Sequence, residues 1–401
     1  MGWKATCAME ERFRFVEDWK RDEESVAEVC RRYGVSRQTG YKWIVRYREG
    51  GLAALEDRSR ARLTHPNQVV QEVEDALVAK RGEHPRWGPE KLRVFLQREV
   101  PEVEWPAAST IGEILQRHGL VRPRKRRRRA TPSSTPLAHA TAANRVWCTD
   151  FKGWWVCGDG QHCYPLTLTD ASSRFLLRCQ GMPTEEGWRI KPIYEMAFRE
   201  YGLPDWMRSD NGTPFASVGL AGLSWLSVWW IRLGIRPERI EPGKPSQNGR
   251  HERMHLTLKQ EIEGTPAANL RVQQRMLEAF RHSYNEQRPH AALGQKTPAE
   301  CYQPSTREYP TRIAKIEYPS EYEVRRVDPS GGFRWRGASI YATRALAGEW
   351  IGLEAIDEER WRVHFSFYGI GELIGGASAV RMPKASKSPL PHSGSEKPRN
   401  P

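Results

Sequence analysis

The chain has 401 residues, too many for one ordinary domain, with 63 Lys and Arg set against 49 Asp and Glu for a formal net charge of +14. That surplus favours a polyanionic partner, nucleic acid before any other. The seven cysteines are odd in number and form no CxxC pair, which argues against a disulfide scaffold and for a reducing cytoplasm.

Residues 10–20 read as a charged amphipathic helix. In the following segment Ser25 and Glu28 have capping-box spacing, Gly34 supplies a turn, and Ser36 can cap the next helix. Two short helices about a glycine turn form a helix-turn-helix pattern, whose second helix places N-terminal side chains on base edges in the major groove. Arg37, Gln38, Thr39 and Lys42 take those positions, and Val26, Val29, Val35, Trp43 and Ile44 take the core. The bland alternative is a plain helical hairpin, which gives no reason for Arg37-Gln38 at the helix start.

Residues 1–60 are therefore assigned to a helix-turn-helix domain and 61–121 to a second helical module. In the latter, Pro89 opens one helix and Ser109 caps another. This module either reads DNA or is purely structural; both readings stay open. Residues 122–144 form a linker, because the run from Arg122 to Arg129, which includes Arg124, Lys125, Arg126 and Arg127, repels itself and buries nothing. It suits a cationic arm against phosphate.

From 145 to 305 the pattern turns to α/β. Strands are expected at 145–157, 162–169, 174–181, 205–209 and 236–240, and helices at 185–201, 220–233, 247–263 and 267–285, giving a mixed sheet. Residues 211–231 carry no formal charge but include Pro214 and three glycines, so they read as a buried helix rather than a membrane span. No membrane partner is expected. Residues 311–382 alternate around Gly and Asp-Glu turns, as in a small all-β barrel, and the Ser/Pro/Lys-rich tail 383–401 reads as disordered.

Three acids stand out in the α/β region. Asp150 interrupts an apolar strand, Asp210 lies just past a strand's carboxyl end, and Glu252 begins a helical run. A carboxylate is costly to bury alone, so three in such settings suggest convergence on Mg²⁺ or Mn²⁺, two ions in all. His255 and Lys259, three and seven residues beyond Glu252, share its helix face and are placed against the DNA backbone. The cluster Cys157…His162-Cys163 has the wrong spacing for common zinc sites, so packing is the expected role.

The segments Trp147-Cys148-Thr149-Asp150-Phe151-Lys152, Thr169-Asp170-Ala171-Ser172-Ser173-Arg174 and Ser209-Asp210-Asn211-Gly212-Thr213-Pro214-Phe215 resemble the integrase catalytic core of bacterial insertion-sequence transposases. Pro245-Ser246-Gln247-Asn248-Gly249-Arg250-His251-Glu252-Arg253 is similar to that core's closing motif, and Tyr284-Asn285…Arg288-Pro289-His290…Thr297-Pro298-Ala299 to what trails it. The resemblance implies a ribonuclease-H-like fold and an Asp-Asp-Glu triad of Asp150, Asp210 and Glu252. It further implies cutting and joining at transposon ends by a multimer on double-stranded DNA, in a bacterial cytoplasm and at the nucleoid. The connection from Asp210 to Glu252 is longer than usual in that family, which keeps Glu241 and Glu261 as alternative third ligands. Two other functions remain open: a transposase-derived DNA-binding regulator without activity, and a metal-dependent nuclease that does not join.

Overall fold

The computed structural model describes residues 7–57, 69–121, 137, 139–217, 219–240, 249–262, 267–375 and 379–381. The basic residues Arg124, Lys125, Arg126 and Arg127, the acid Glu241, the start of the closing motif and the tail 383–401 lie outside these. The chain divides into two units, Met1–Val70 and Gln71–Pro401.

In the first unit, α1 (Ala8–Lys20), α2 (Val26–Arg32) and α3 (Arg37–Gly50) enclose Phe15, Val16, Val29, Cys30, Ile44 and Leu55. The capping box forms as the sequence implies: the Glu28 carboxylate accepts from the Ser25 amide at 2.9 Å and its hydroxyl at 2.7 Å. The Ser36 hydroxyl accepts from the Thr39 amide at 3.1 Å. Gly40 lets α3 approach closely, since a Cβ there would lie 2.3 Å from Cys30 Sγ. Val26, Val35 and Trp43 pack at the rim of this core rather than inside it.

The second unit opens with α4 (Gln71–Glu83), α5 (Pro89–Glu99) and α6 (Ala108–Arg117). Ala107, not Ser109, occupies the N-cap of α6, so the serine expected to cap lies inside the helix. The α/β region follows as β1 (Val146–Phe151), β2 (Trp155–Val156), β3 (His162–Asp170), β4 (Leu176–Met182), α7 (Gly187–Tyr201), β5 (Trp206–Ser209), α8 (Trp225–Arg232), β6 (Arg236–Arg239), α9 (Gly249–Ile262), α10 (Leu270–His282) and α11 (Pro298–Cys301). The expected single strand 145–157 is therefore two. The expected helix 220–233 starts late because Ala221 and Gly222 take positive φ.

The main sheet runs β2-β3-β1-β5-β6, with β4 also on β3; β1 is antiparallel to β3 and parallel to β5. This is the mixed sheet anticipated. On one face Trp147, Leu166, Leu168 and Met207 meet α7 and α8. The six buried residues of α7 include Tyr194 and Phe198. At about 1.5–3 kcal/mol for each large side chain, their burial outweighs the roughly 3 kcal/mol that Pro192 costs inside the helix. On the other face Cys163, Leu176 and Cys179 pack with Cys157 against Met254, Leu258 and Phe280, so these cysteines serve as small hydrophobes.

Residues beyond 310 are all-β: β7 (Glu323–Arg326), β8 (Gly332–Trp335), β9 (Ala338–Tyr341), β10 (Trp350–Ala355), β11 (Arg360–Phe365) and β12 (Tyr368–Ile374). They pair as a sheet β12-β11-β10-β7 and a separate β8-β9 hairpin, which do not close into one ring. Their shared core takes in Leu223, Val228 and Ile231. The long connection between Asp210 and Glu252 is thus where the β module docks: α8 serves two cores, with Leu226 and Trp230 facing the main sheet.

Candidate active site

β1 and β5 run parallel, with Cys148 opposite Arg208, so their carboxyl ends lie at the same sheet edge. Asp150 is the penultimate residue of β1, on the face shared with Thr167, its partner on β3. Asp210 follows β5 directly, in a turn where its Oδ1 accepts from the Gly212 amide at 3.1 Å. A Cβ at Gly212 would sit 3.0 Å from Asp210 Oδ2, so glycine is what lets the turn wrap the carboxylate. Glu252 is exposed on the first turn of α9.

The charges of these three elements reach one another. Burial first, then Asp210 and, more weakly, Glu252 push the Asp150 carboxyl up to about 7, against opposing contributions from the Phe151 backbone and, least of all, Lys152. An acid in that position gains from a cation beside it. Among the described residues the one His/Cys/Asp/Glu group whose ligand atoms converge within 4.8 Å is Asp150, His251 and His255.

The histidines are what sequence reasoning missed. His255 does not stand out toward DNA as expected: it is buried and its Nε2 lies 2.7 Å from Thr167 Oγ1. Burial, with smaller effects from His251 and Lys152, drives its imidazole down to about 2, so it carries no charge to offer a phosphate. His251 is buried outright and pushed down to about 3 by desolvation alone. Helical spacing holds the signal for this pair, since residues four apart share a face, but not which face meets the sheet. Lys259, by contrast, is exposed.

Two other acids are accounted for. Asp170 is buried and accepts from the Asn144, Ser172 and Ser173 amides and the Ser173 hydroxyl, so it braces the β3–β4 turn. Glu261, the described alternative third ligand, pairs with Arg288 at 2.5 Å.

In the first unit, Arg37, Gln38 and Lys42 are exposed along the start of α3, and the Thr39 hydroxyl lies 2.9 Å from that of Ser36. Trp43 has a role beyond packing, since Arg12, Lys42 and Arg46 all place their cations over its ring, at 4.0, 5.3 and 4.9 Å.

Residues 140–245 and 233–298 match two models of the integrase core domain. Residues 11–62 match a helix-turn-helix domain and 39–115 a homeodomain-like domain. The chain thus carries matches to integrase-core and helix-turn-helix families, and relatives it resembles are named as insertion-element proteins and transposases. Its relatives include an insertion element IS407 protein of Burkholderia multivorans, 28% identical over 60% of this chain and 83% of that one. An insertion element IS476 protein of Xanthomonas euvesicatoria is 24% identical over 72% of this chain and 80% of that one. The transposase InsD for insertion element IS2 of Escherichia coli is 26% identical over 61% and 81%. Among solved structures, the catalytic core of BIV integrase covers 40% of this chain and 93% of its own, at 20% identity and a TM-score of 0.31. The HTLV-2 integrase catalytic core in complex with magnesium covers 42% and 100%, at 15% identity and 0.32.

Proposed function

We propose that this chain is a DNA transposase that binds transposon ends through its N-terminal helices and cleaves and joins phosphodiester bonds at Asp150, Asp210 and Glu252. The observation that carries the catalytic part is the Asp150 carboxyl, lifted by burial and by the two acids from β5 and α9. The donor set fits Mg²⁺ or Mn²⁺: hard oxygens, one of them costly to leave charged. A pair of such ions, when bound, activates an oxygen nucleophile and stabilises the leaving oxygen.

The remaining work belongs to the chain. β1, the turn after β5 and the first turn of α9 hold the acids at one sheet edge, and Gly212 and Thr167 fix how two of them are presented. In cleavage, water adds its oxygen to phosphorus, the bond to the 3′ oxygen breaks, and that oxygen leaves as a hydroxyl. In joining, the same hydroxyl attacks a target phosphorus, loses its proton, and displaces the neighbouring target oxygen. Arg37, Gln38, Thr39 and Lys42 read the ends, with Arg124, Lys125, Arg126, Arg127 and Lys259 against the backbone. We assign 1–60, 61–121, 145–305 and 311–382 as the working domains, the last as a barrel-like module. Pairing two ends requires at least a dimer on DNA, in the bacterial cytoplasm. No described helix is long and apolar enough to cross a membrane.

The test is strand transfer of pre-cleaved ends into a plasmid. Asp150→Asn is expected to abolish joining while retaining end binding; substantial joining by that variant overturns the mechanism. Cutting without joining by the wild type identifies a nuclease, and neither activity a regulator.

A further inference from the structure

The hydrogen bonds around Thr167 decide where the protons of both buried histidines sit. Its hydroxyl lies 3.0 Å from the Asp150 carbonyl oxygen and 2.7 Å from Nε2 of both His251 and His255. A hydroxyl has one proton and two lone pairs, and a carbonyl only accepts. The Thr167 proton therefore goes to Asp150, and both imidazoles donate Nε2–H to Thr167. Each then has a bare Nδ1. That of His251 accepts from the Thr169 hydroxyl at 2.8 Å, so both its nitrogens are used.

His255 is different. Among the described residues no hydrogen-bond donor reaches its Nδ1, and the atom it faces is Asp150 Oδ2, 3.8 Å away. Two acceptors are aimed at one another across a gap too long for a hydrogen bond. Ligands about 2.1 Å from a shared ion stand about 3.0–3.4 Å apart at octahedral or tetrahedral angles, so a shift of less than about 1 Å brings this pair into range.

We propose that His255 is a nitrogen ligand, through Nδ1, to the cation held by Asp150. His251 is the positioning residue that fixes α9 to β3. This rests on the reading of Asp150 as a metal ligand. It makes the donor set mixed, oxygen with imidazole nitrogen, which favours Mn²⁺ and later transition ions over Mg²⁺.

The experiment is pulsed EPR of the full chain titrated with Mn²⁺, read for hyperfine coupling to imidazole nitrogen, with affinities measured calorimetrically for Mn²⁺ and Mg²⁺. The wild type is expected to show the nitrogen coupling. His255→Gln is expected to lose it and to bind Mn²⁺ about tenfold more weakly, with Mg²⁺ affinity changed much less. Should His255→Gln fail to fold, His251→Gln serves instead: it must keep the coupling, which then belongs to His255. Mn²⁺ bound in an Asp150-dependent way without nitrogen coupling, or with coupling that survives His255→Gln, overturns the inference and leaves the carboxylate reading standing. Mn²⁺ binding unaffected by Asp150→Asn removes that reading itself, and the inference with it.

Discussion

Thr167 and Asp150 face each other across the β1–β3 pair, and the threonine hydroxyl donates to the aspartate's backbone carbonyl at 3.0 Å. The same oxygen takes the Nε2–H of two histidines from α9, the helix that carries Glu252. One hydroxyl thus ties the strand of the first acid to the helix of the third.

Thr167→Val keeps the shape and removes that tie. It leaves two buried imidazole donors without partners, at about 1–3 kcal/mol for each group not rescued by water. We expect chemical denaturation to show a loss of at least about 2 kcal/mol and joining to fall steeply, while Thr167→Ser retains most of both. A valine variant as stable and active as wild type would show that α9 is held by its apolar contacts alone.

Lys91 gives a pH-dependent prediction. Burial, then the nearby Arg288 and Arg253, bring its ammonium down to about 7. An unfolded lysine titrates near 10.4, so between about pH 7 and that value the unfolded chain holds a proton that the folded chain has lost. This group therefore makes stability rise with pH across that window, and its full penalty is present below about 7. Lys91→Met is expected to melt higher than wild type at pH 6.5, with the difference shrinking by pH 9.5. Parallel melting profiles would refute this. A cation kept at such cost among arginines suits a phosphate partner, so the same variant is expected to bind DNA less tightly.

The local devices were legible because their partners lie within three residues: Ser25 with Glu28, Ser36 with Thr39, Asp210 with Gly212. Asp150 was legible as an acid inside an apolar strand and Asp210 as one just past a strand's end, places where a charge demands a reason. His255 was not, since what buries it is Thr167, 88 positions away on β3. Helical spacing places it close to Glu252, and only the packed sheet reveals that this flank turns inward. In β12 a contact with another segment likewise decides a residue, at Gly371. Gly371 is required there, since a Cβ would lie 2.7 Å from the Arg381 carbonyl oxygen.

The start of α3 makes the last prediction. Arg37, Gln38 and Lys42 are exposed there, on a helix capped by Ser36 and tightly seated at Gly40. A residue that reads a base edge contributes discrimination, about 1–3 kcal/mol for a good bidentate contact, whereas one on phosphate contributes equally to all sequences. Arg37→Ala and Gln38→Ala are thus expected to narrow the gap between transposon-end and random duplex affinity. A lysine on phosphate would behave otherwise, lowering both affinities together and the slope of log affinity against log salt by about 1. Fluorescence anisotropy over a salt series separates the two for Lys42→Ala. Joining of pre-cleaved ends at saturating DNA should survive all three substitutions, because none touches the acids. If Arg37→Ala and Gln38→Ala leave end preference intact, α3 is not the reading helix, and recognition passes to the second helical module.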